Sequence, residues 1–245
     1  MARMVSVIAA LSGGPVSASP VYAPERRNGE GDMVRAVIWD FGGVLTTSPF
    51  EAFNRYEAQR GLPLDLIRTI NATNPDTNAW ALFERNEVSL DEFDRLFDME
   101  AHQRGYHLPG KDVVALLSGD LRPRMVEALR RISGTLVTGC ITNNVRHGSG
   151  AGMASSEDRA AEVQKVMAMF KVVIESSKVG VRKPSPEIYR MACEALEIEP
   201  HEAVYLDDLG INLKPARALG MQTIKVIDPD TALQELQDIV GFPLA

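Results

Sequence analysis

The sequence predicts an α/β protein built on a mostly parallel sheet, and three observations carry that prediction. Val34 to Trp39 is a short apolar run rich in β-branched residues, the pattern of a strand buried on both faces. From about residue 119 onward, four more such runs alternate with stretches of helical period. That order is the signature of parallel strands with helices on both faces of the sheet. Between about 49 and 118 nothing alternates as a strand does, so this block reads as a helical insertion.

The first strand ends at Asp40, with Gly42-Gly43 directly behind it. A carboxylate at the carboxyl end of a central strand stands where open α/β sheets bind ligands. Glycines there let the chain turn sharply and let backbone approach a bound group. Taken alone, the same residues also fit a strand cap and a tight turn.

In the insertion, Phe50 to Arg60 is an amphipathic helix ended by Gly61, and Leu64 to Ile70 and Asn78 to Arg85 continue in helical period. Ser89-Leu90-Asp91-Glu92 has the spacing of a capping box before the stripe Phe93, Leu96, Phe97. Trp80, Phe83 and His102 read as packing residues of this block. Then come helix Arg124–Ile132, strand Leu136–Ile141, helix Glu157–Phe170, strand Val172–Ile174 and helix Pro184–Ala195. Strand Ala203–Leu206, helix Leu213–Leu219, strand Thr223–Ile227 and helix Thr231–Val240 complete the pattern. Pro215 is expected in a first helical turn, where a missing N–H costs nothing. Thr142-Asn143, Lys183 and Asp207-Asp208 all follow strand ends, on the edge that carries Asp40. The segment Val145 to Gly152 reads as a flexible stretch, with a loop at the cleft mouth that holds Arg146 or His147 near substrate as one alternative; its alternate glycines do not fit the dinucleotide fingerprint.

With 26 Lys+Arg against 33 Asp+Glu, the formal net charge of −7 disfavours a nucleic-acid partner. No apolar run has membrane-spanning length. Cys140 and Cys193 sit in apolar patterns and read as buried thiols of a reducing compartment, which points to the cytoplasm. Residues 1–32 are expected to lie outside the fold, as a disordered extension or a start assigned too early, since Met33 directly precedes the first strand. Arg3, the apolar Val5–Leu11 and Val16-Ser17-Ala18 also form a weak secretory-signal pattern, but its apolar region is very short.

The order Asp40-Phe41-Gly42-Gly43, Ile141-Thr142-Asn143-Asn144, Arg182-Lys183-Pro184 and Tyr205-Leu206-Asp207-Asp208 resembles the four motifs of the haloacid dehalogenase-like (HAD) hydrolases over about residues 34–241. Asp207 to Gly220 is particularly similar to the N-terminal phosphatase domain of soluble epoxide hydrolase and to the HAD-like region of acyl-CoA dehydrogenase fusion proteins. The resemblance implies a Rossmannoid three-layer core (33–48 and 119–245) with strand order 5-4-1-2-3, roofed by a helical C1 cap (49–118). It implies Mg²⁺ as cofactor and a small phosphorylated metabolite as substrate. Asp40 would be nucleophile and metal ligand. Thr142 and Asn143 would bind phosphoryl oxygens, and Lys183 would orient Asp40 and offset its charge. Asp208 would hold the metal, the Gly42 carbonyl would contribute, and Asp207 would share the ion or support the site from behind.

Position 42 departs from the family pattern, because most HAD phosphatases carry an acid/base aspartate there. General acid–base catalysis contributes about 10²–10⁴-fold, so leaving groups that need little protonation should suffer least. Three readings follow. One is a Mg²⁺-dependent phosphatase acting through an aspartyl phosphate. Another is a weakly catalytic phosphate- or metabolite-binding module. The third is a 2-haloacid dehalogenase, an enzyme type that needs no metal, so the retained Asp207-Asp208 argues against it.

Overall fold

The computed structural model describes residues 33–145 and 157–244. The expectations for the N-terminal 32 residues, and for Arg146, His147 and the glycines beside them, fall outside these.

Five strands, β1 (Ala36–Trp39), β2 (Val137–Thr142), β3 (Val172–Glu175), β4 (Ala203–Asp207) and β5 (Gln222–Lys225), form one parallel sheet in the order β3-β2-β1-β4-β5. This is the expected order. β1 is central and fully buried, with Trp39 opposite Cys140 of β2 and Leu206 of β4. Asp40 therefore leaves the sheet between the ends of its two neighbours.

Pleating sends alternate β1 side chains to opposite faces. Val37 and Trp39 pack with Met125 and Leu129 of α6 (Pro123–Ser133), Val163 of α7 (Glu157–Met167) and Leu236 of α11 (Pro229–Val240). Ala36 and Ile38 pack with Ile188 and Ala192 of α9 (Pro186–Leu196) and with Leu213 and Ala216 of α10 (Gly210–Ala218). The three layers follow from that alternation.

Between β1 and α6 stand five helices: α1 (Pro49–Arg60), α2 (Leu66–Ala72), α3 (Ala79–Glu84), α4 (Leu90–His102) and α5 (Gly110–Val114). They enclose a cluster of their own around Phe53, Ile67, Phe83, Phe93 and Phe97. The Phe83 and Phe93 rings stack at 4.5 Å, and Trp80 meets Phe93 edge-on at 5.6 Å, so both residues act in packing as expected. The capping box forms: the Ser89 hydroxyl accepts from the Glu92 amide at 3.3 Å, and the Glu92 carboxylate accepts from the Ser89 amide at 2.8 Å. His102 instead lies on the surface, its Nδ1 2.8 Å from the Asp98 carbonyl. Asp98 also accepts from the Leu108 amide and meets His107, which closes the turn after α4. The chain enters and leaves the insertion side by side, with Thr46 bridged to Leu121 and the Thr47 amide donating to the Asp120 carbonyl at 2.8 Å.

Two local readings need correction. A short helix, α8 (Ser176–Val179), follows β3 where no element was expected. α10 begins at Gly210 rather than Leu213, so Pro215 lies inside it and not in its first turn. The reason is Asp207, whose Oδ1 accepts from the Leu209 amide at 2.8 Å and from the Asn212 side chain at 3.0 Å, organising backbone ahead of the apolar period.

Removing the ring at the centre of the insertion's cluster tests its independent core. Phe93→Ala should cost about 3–5 kcal/mol, as large-to-small aromatic substitutions in cores do. Urea unfolding monitored by circular dichroism measures this, and a loss below about 1 kcal/mol would show that the cluster is not tightly packed.

Candidate active site

Each predicted residue reaches the carboxyl edge of the sheet by a short local route. The Asp40 amide donates to the Leu206 carbonyl at 2.8 Å, extending the β1–β4 ladder by one bond. Thr142 ends β2, Asp207 ends β4, and Asp208 follows it. Lys183 precedes α9 and sends its side chain into the core, where only 1% of the residue is exposed. Oxygens of Asp40, Asp207 and Asp208 come within 4.8 Å of one another. The structure thus brings the three acids together.

The ammonium of Lys183 lies 2.8 Å from Asp40 Oδ1 and 2.9 Å from Asp207 Oδ2. Asp40 Oδ1 also accepts the Phe41 amide at 2.7 Å, whereas its Oδ2 accepts nothing among the described residues. Asp207 is saturated: Oδ1 takes the Leu209 amide and Asn212, and Oδ2 takes Lys183, Asn212 and the Tyr205 hydroxyl. Asp208 receives no side-chain hydrogen bond among the described residues and lies against Gly43. A Cβ at Gly43 would stand 2.2 Å from Asp208 Oδ2, and its φ of +78° further requires glycine. Gly42 differs, since a Cβ there would meet nothing within 4 Å.

Electrostatics separate these groups. Burial pushes the Asp40 carboxyl well above its ordinary value; Lys183 opposes this, while Asp207 and Asp208 reinforce it. Burial and then the Asp207 charge raise Asp208 to about 6. For Lys183, burial favours the neutral amine, but Asp207 and Asp40 outweigh it and hold the ammonium charged. Burial, and then Asp207, push the Tyr205 phenol well up, so it remains a donor to Asp207.

Three carboxylates share one ammonium in a buried cluster, and charging all of them would leave two negative charges in excess. A divalent cation matches that excess. The uncommitted carboxylate oxygens, Asp40 Oδ2 and those of Asp208, are the hard ligands that Mg²⁺ prefers. The residues present therefore fit the ion.

Thr142 is buried, and its hydroxyl makes no hydrogen bond among the described residues. The Asn143 side chain is committed elsewhere: its Oδ1 accepts the Lys183 amide at 2.9 Å and its Nδ2 donates to the Lys183 carbonyl at 3.0 Å. Only the Asn143 backbone remains for a phosphoryl oxygen. Sequence reasoning missed Tyr205, whose hydroxyl donates to Asp207, and Glu84, whose carboxylate accepts from the Asn143 and Arg182 side chains. Glu84 had a legible signal, an acid closing the apolar run Ala79-Trp80-Ala81-Leu82-Phe83. Tyr205 had none, because alternation alone assigns it to the sheet core.

The chain is similar to known proteins over most of its length. The family model for haloacid dehalogenase-like hydrolases matches residues 34–220, and the chain belongs to that family. Acyl-CoA dehydrogenase family member 10 of Mus musculus is 35% identical over 87% of this chain, and bifunctional epoxide hydrolase 2 of Sus scrofa is 31% identical over 86%. The matched regions are 20% and 40% of those two proteins, so the chain spans less than half of either. A sesquiterpene phosphatase of Aspergillus oryzae is 28% identical over 84% of this chain and 97% of its own length. Among solved structures, a HAD family enzyme of Bacteroides thetaiotaomicron in complex with magnesium and inorganic phosphate shares the fold. Its TM-score is 0.52 at 20% identity, with 78% of this chain and 93% of that one covered.

Replacing the ammonium tests the electrostatic account. Lys183→Met leaves Asp40 and Asp207 buried without their cation, and breaking such a pair costs about 3–5 kcal/mol at neutral pH. Without Lys183, the Asp40 carboxyl rises further, so the folded chain keeps a proton that the unfolded chain releases. Stability of the variant then falls as pH rises above the unfolded carboxylate value of about 4, and recovers as pH is lowered toward it. Denaturant titrations of both proteins from pH 4 to 8 check this; a deficit independent of pH would contradict it.

Proposed function

We propose that the chain is a Mg²⁺-dependent phosphatase acting on a small phosphorylated metabolite through an aspartyl-phosphate intermediate. One observation supports this reading above the others: of three clustered acids, Asp207 is saturated by protein donors while Asp208 and one oxygen of Asp40 are not. Asp207 thus holds Lys183, and Asp40 and Asp208 are left for ligand chemistry. With the Gly42 carbonyl they would hold Mg²⁺, which when bound offsets charge on the phosphoryl oxygens.

In this reading a carboxylate oxygen of Asp40 forms a bond to phosphorus as the ester O–P bond breaks and the leaving oxygen departs with the bonding pair. Lys183 stabilises the charge near Asp40, and the Thr142 hydroxyl and Asn143 amide donate to phosphoryl oxygens. Water then cleaves the aspartyl phosphate, releasing inorganic phosphate and restoring the carboxylate. Residues 49–118 form the cap over the strand ends and 33–48 with 119–245 the core. The two buried free thiols, Cys140 and Cys193, suit a reducing compartment such as the cytoplasm. No helix among the described residues is long and apolar enough to cross a membrane.

The assay is release of p-nitrophenol from p-nitrophenyl phosphate. Turnover should require Mg²⁺, disappear with chelator and fall to background in Asp40→Asn. Phosphate binding without turnover would favour the binding-module reading, and chloride release from a 2-haloacid in chelator would favour the dehalogenase.

Gly42 supplies a second test, since open space surrounds its missing side chain. Gly42→Asp should raise turnover of an alkyl phosphate toward the roughly 10²–10⁴-fold of a general acid, and should change aryl phosphate turnover far less. Equal effects on both substrates would remove the leaving-group argument.

A further inference from the structure

We propose that Glu84 is a positioning residue which couples the seating of the helical cap to the placement of Lys183; the catalytic part of this inference rests on the phosphatase reading above. Glu84 is the last residue of α3 and is 6% exposed. Its Oε1 accepts from Trp80 Nε1 at 2.9 Å within the cap. Its Oε2 reaches the core, accepting from Arg182 Nε at 2.5 Å and from Asn143 Nδ2 at 3.3 Å. Arg182 donates onward to the Pro75 carbonyl at 2.8 Å, so the guanidinium grips the insertion on both sides of α3's start.

The core ends of these bonds are the residues that fix the catalytic lysine. Arg182 is its neighbour in the chain. Asn143 brackets its backbone, accepting from its amide and donating to its carbonyl. A continuous path thus runs from Trp80 through Glu84 and Asn143 to Lys183, and from its ammonium to Asp40.

Charge explains why this path is more than packing. A buried carboxylate is tolerated only when donors surround it, and here the donors arrive from two separate parts of the chain. Lifting the cap would strip Arg182 and Asn143 from Glu84 and leave the carboxylate and guanidinium without each other. Directional, charge-assisted bonds also fix a register that apolar contacts leave loose. Val145, two residues after Asn143, packs into the insertion's own cluster, so the loop after β2 is held by polar and apolar contacts together. The cap position that satisfies Glu84 is therefore the one that holds the Lys183 backbone for its contacts with Asp40 and Asp207.

The isosteric Glu84→Gln removes the charge and keeps the shape. Hydrogen exchange should accelerate about tenfold or more in residues 79–85 and also in 181–183, the size expected for loss of a charge-assisted bond. Exchange in β1 and β4 should stay unchanged. Steady-state kinetics should show kcat lowered by a similar factor and KM changed less. Adding Arg182→Gln should cost less than the sum of the two single changes, because they share one ion pair, and the remainder is the lost bond to the Pro75 carbonyl. Faster exchange confined to residues 79–85, or an unchanged kcat in an active enzyme, would overturn the proposal. Should the unsubstituted protein hydrolyse no phosphoester, the phosphatase reading fails, while the exchange measurement still decides whether Glu84 couples cap to lysine. Arg182→Gln serves as the second variant should Glu84→Gln not fold.

Discussion

An ammonium buried between two carboxylates organises this molecule. Lys183, Asp40 and Asp207 come from three separated parts of the chain, and each is almost wholly withdrawn from water. Isolated charges in such a place would cost far more than the fold can supply. Their mutual contacts, together with Tyr205, Asn212 and the Leu209 and Phe41 amides, make the arrangement tenable. Breaking it has no cheap alternative, so the loops that carry these groups are tightly determined.

The sheet provides the means. With β1 central and parallel to both neighbours, the first residue past each strand emerges at a common edge. Helices packed on both faces exclude water from beneath that edge and lower the local polarity. There the excess of carboxylates over ammonium is no incidental surface feature: it suits the cluster to a hard dication. Asp207 and Asp208, adjacent in sequence, divide the work. One points into the protein's donors and is used up by them. The other is left open, and Gly43 gives it room.

Much of this was legible in the sequence. The apolar run before Asp40, the alternation of strands with helices and the capping box at Ser89 all follow from local rules and hold in three dimensions. What local rules could not reach was set by partners distant in the chain. α10 starts early because Asp207 captures Leu209 and Asn212, so Pro215 falls within the helix. His102 faces solvent because the Asp98 carbonyl holds its ring at the helix surface. The Asn143 side chain serves Lys183, forty residues away, and no spacing rule reveals that. Tyr205 looked like core and is core, yet its hydroxyl is part of the site.

On the phosphatase reading, the acidic cluster holds one divalent cation beside Asp40. Isothermal titration calorimetry with Mg²⁺ alone, at neutral pH and without substrate, tests it most directly. The account predicts a single site per chain that is strongly weakened by Asp208→Asn and left intact by a conservative change on the surface of α11. Absence of binding, or affinity unaltered by Asp208→Asn, would contradict it.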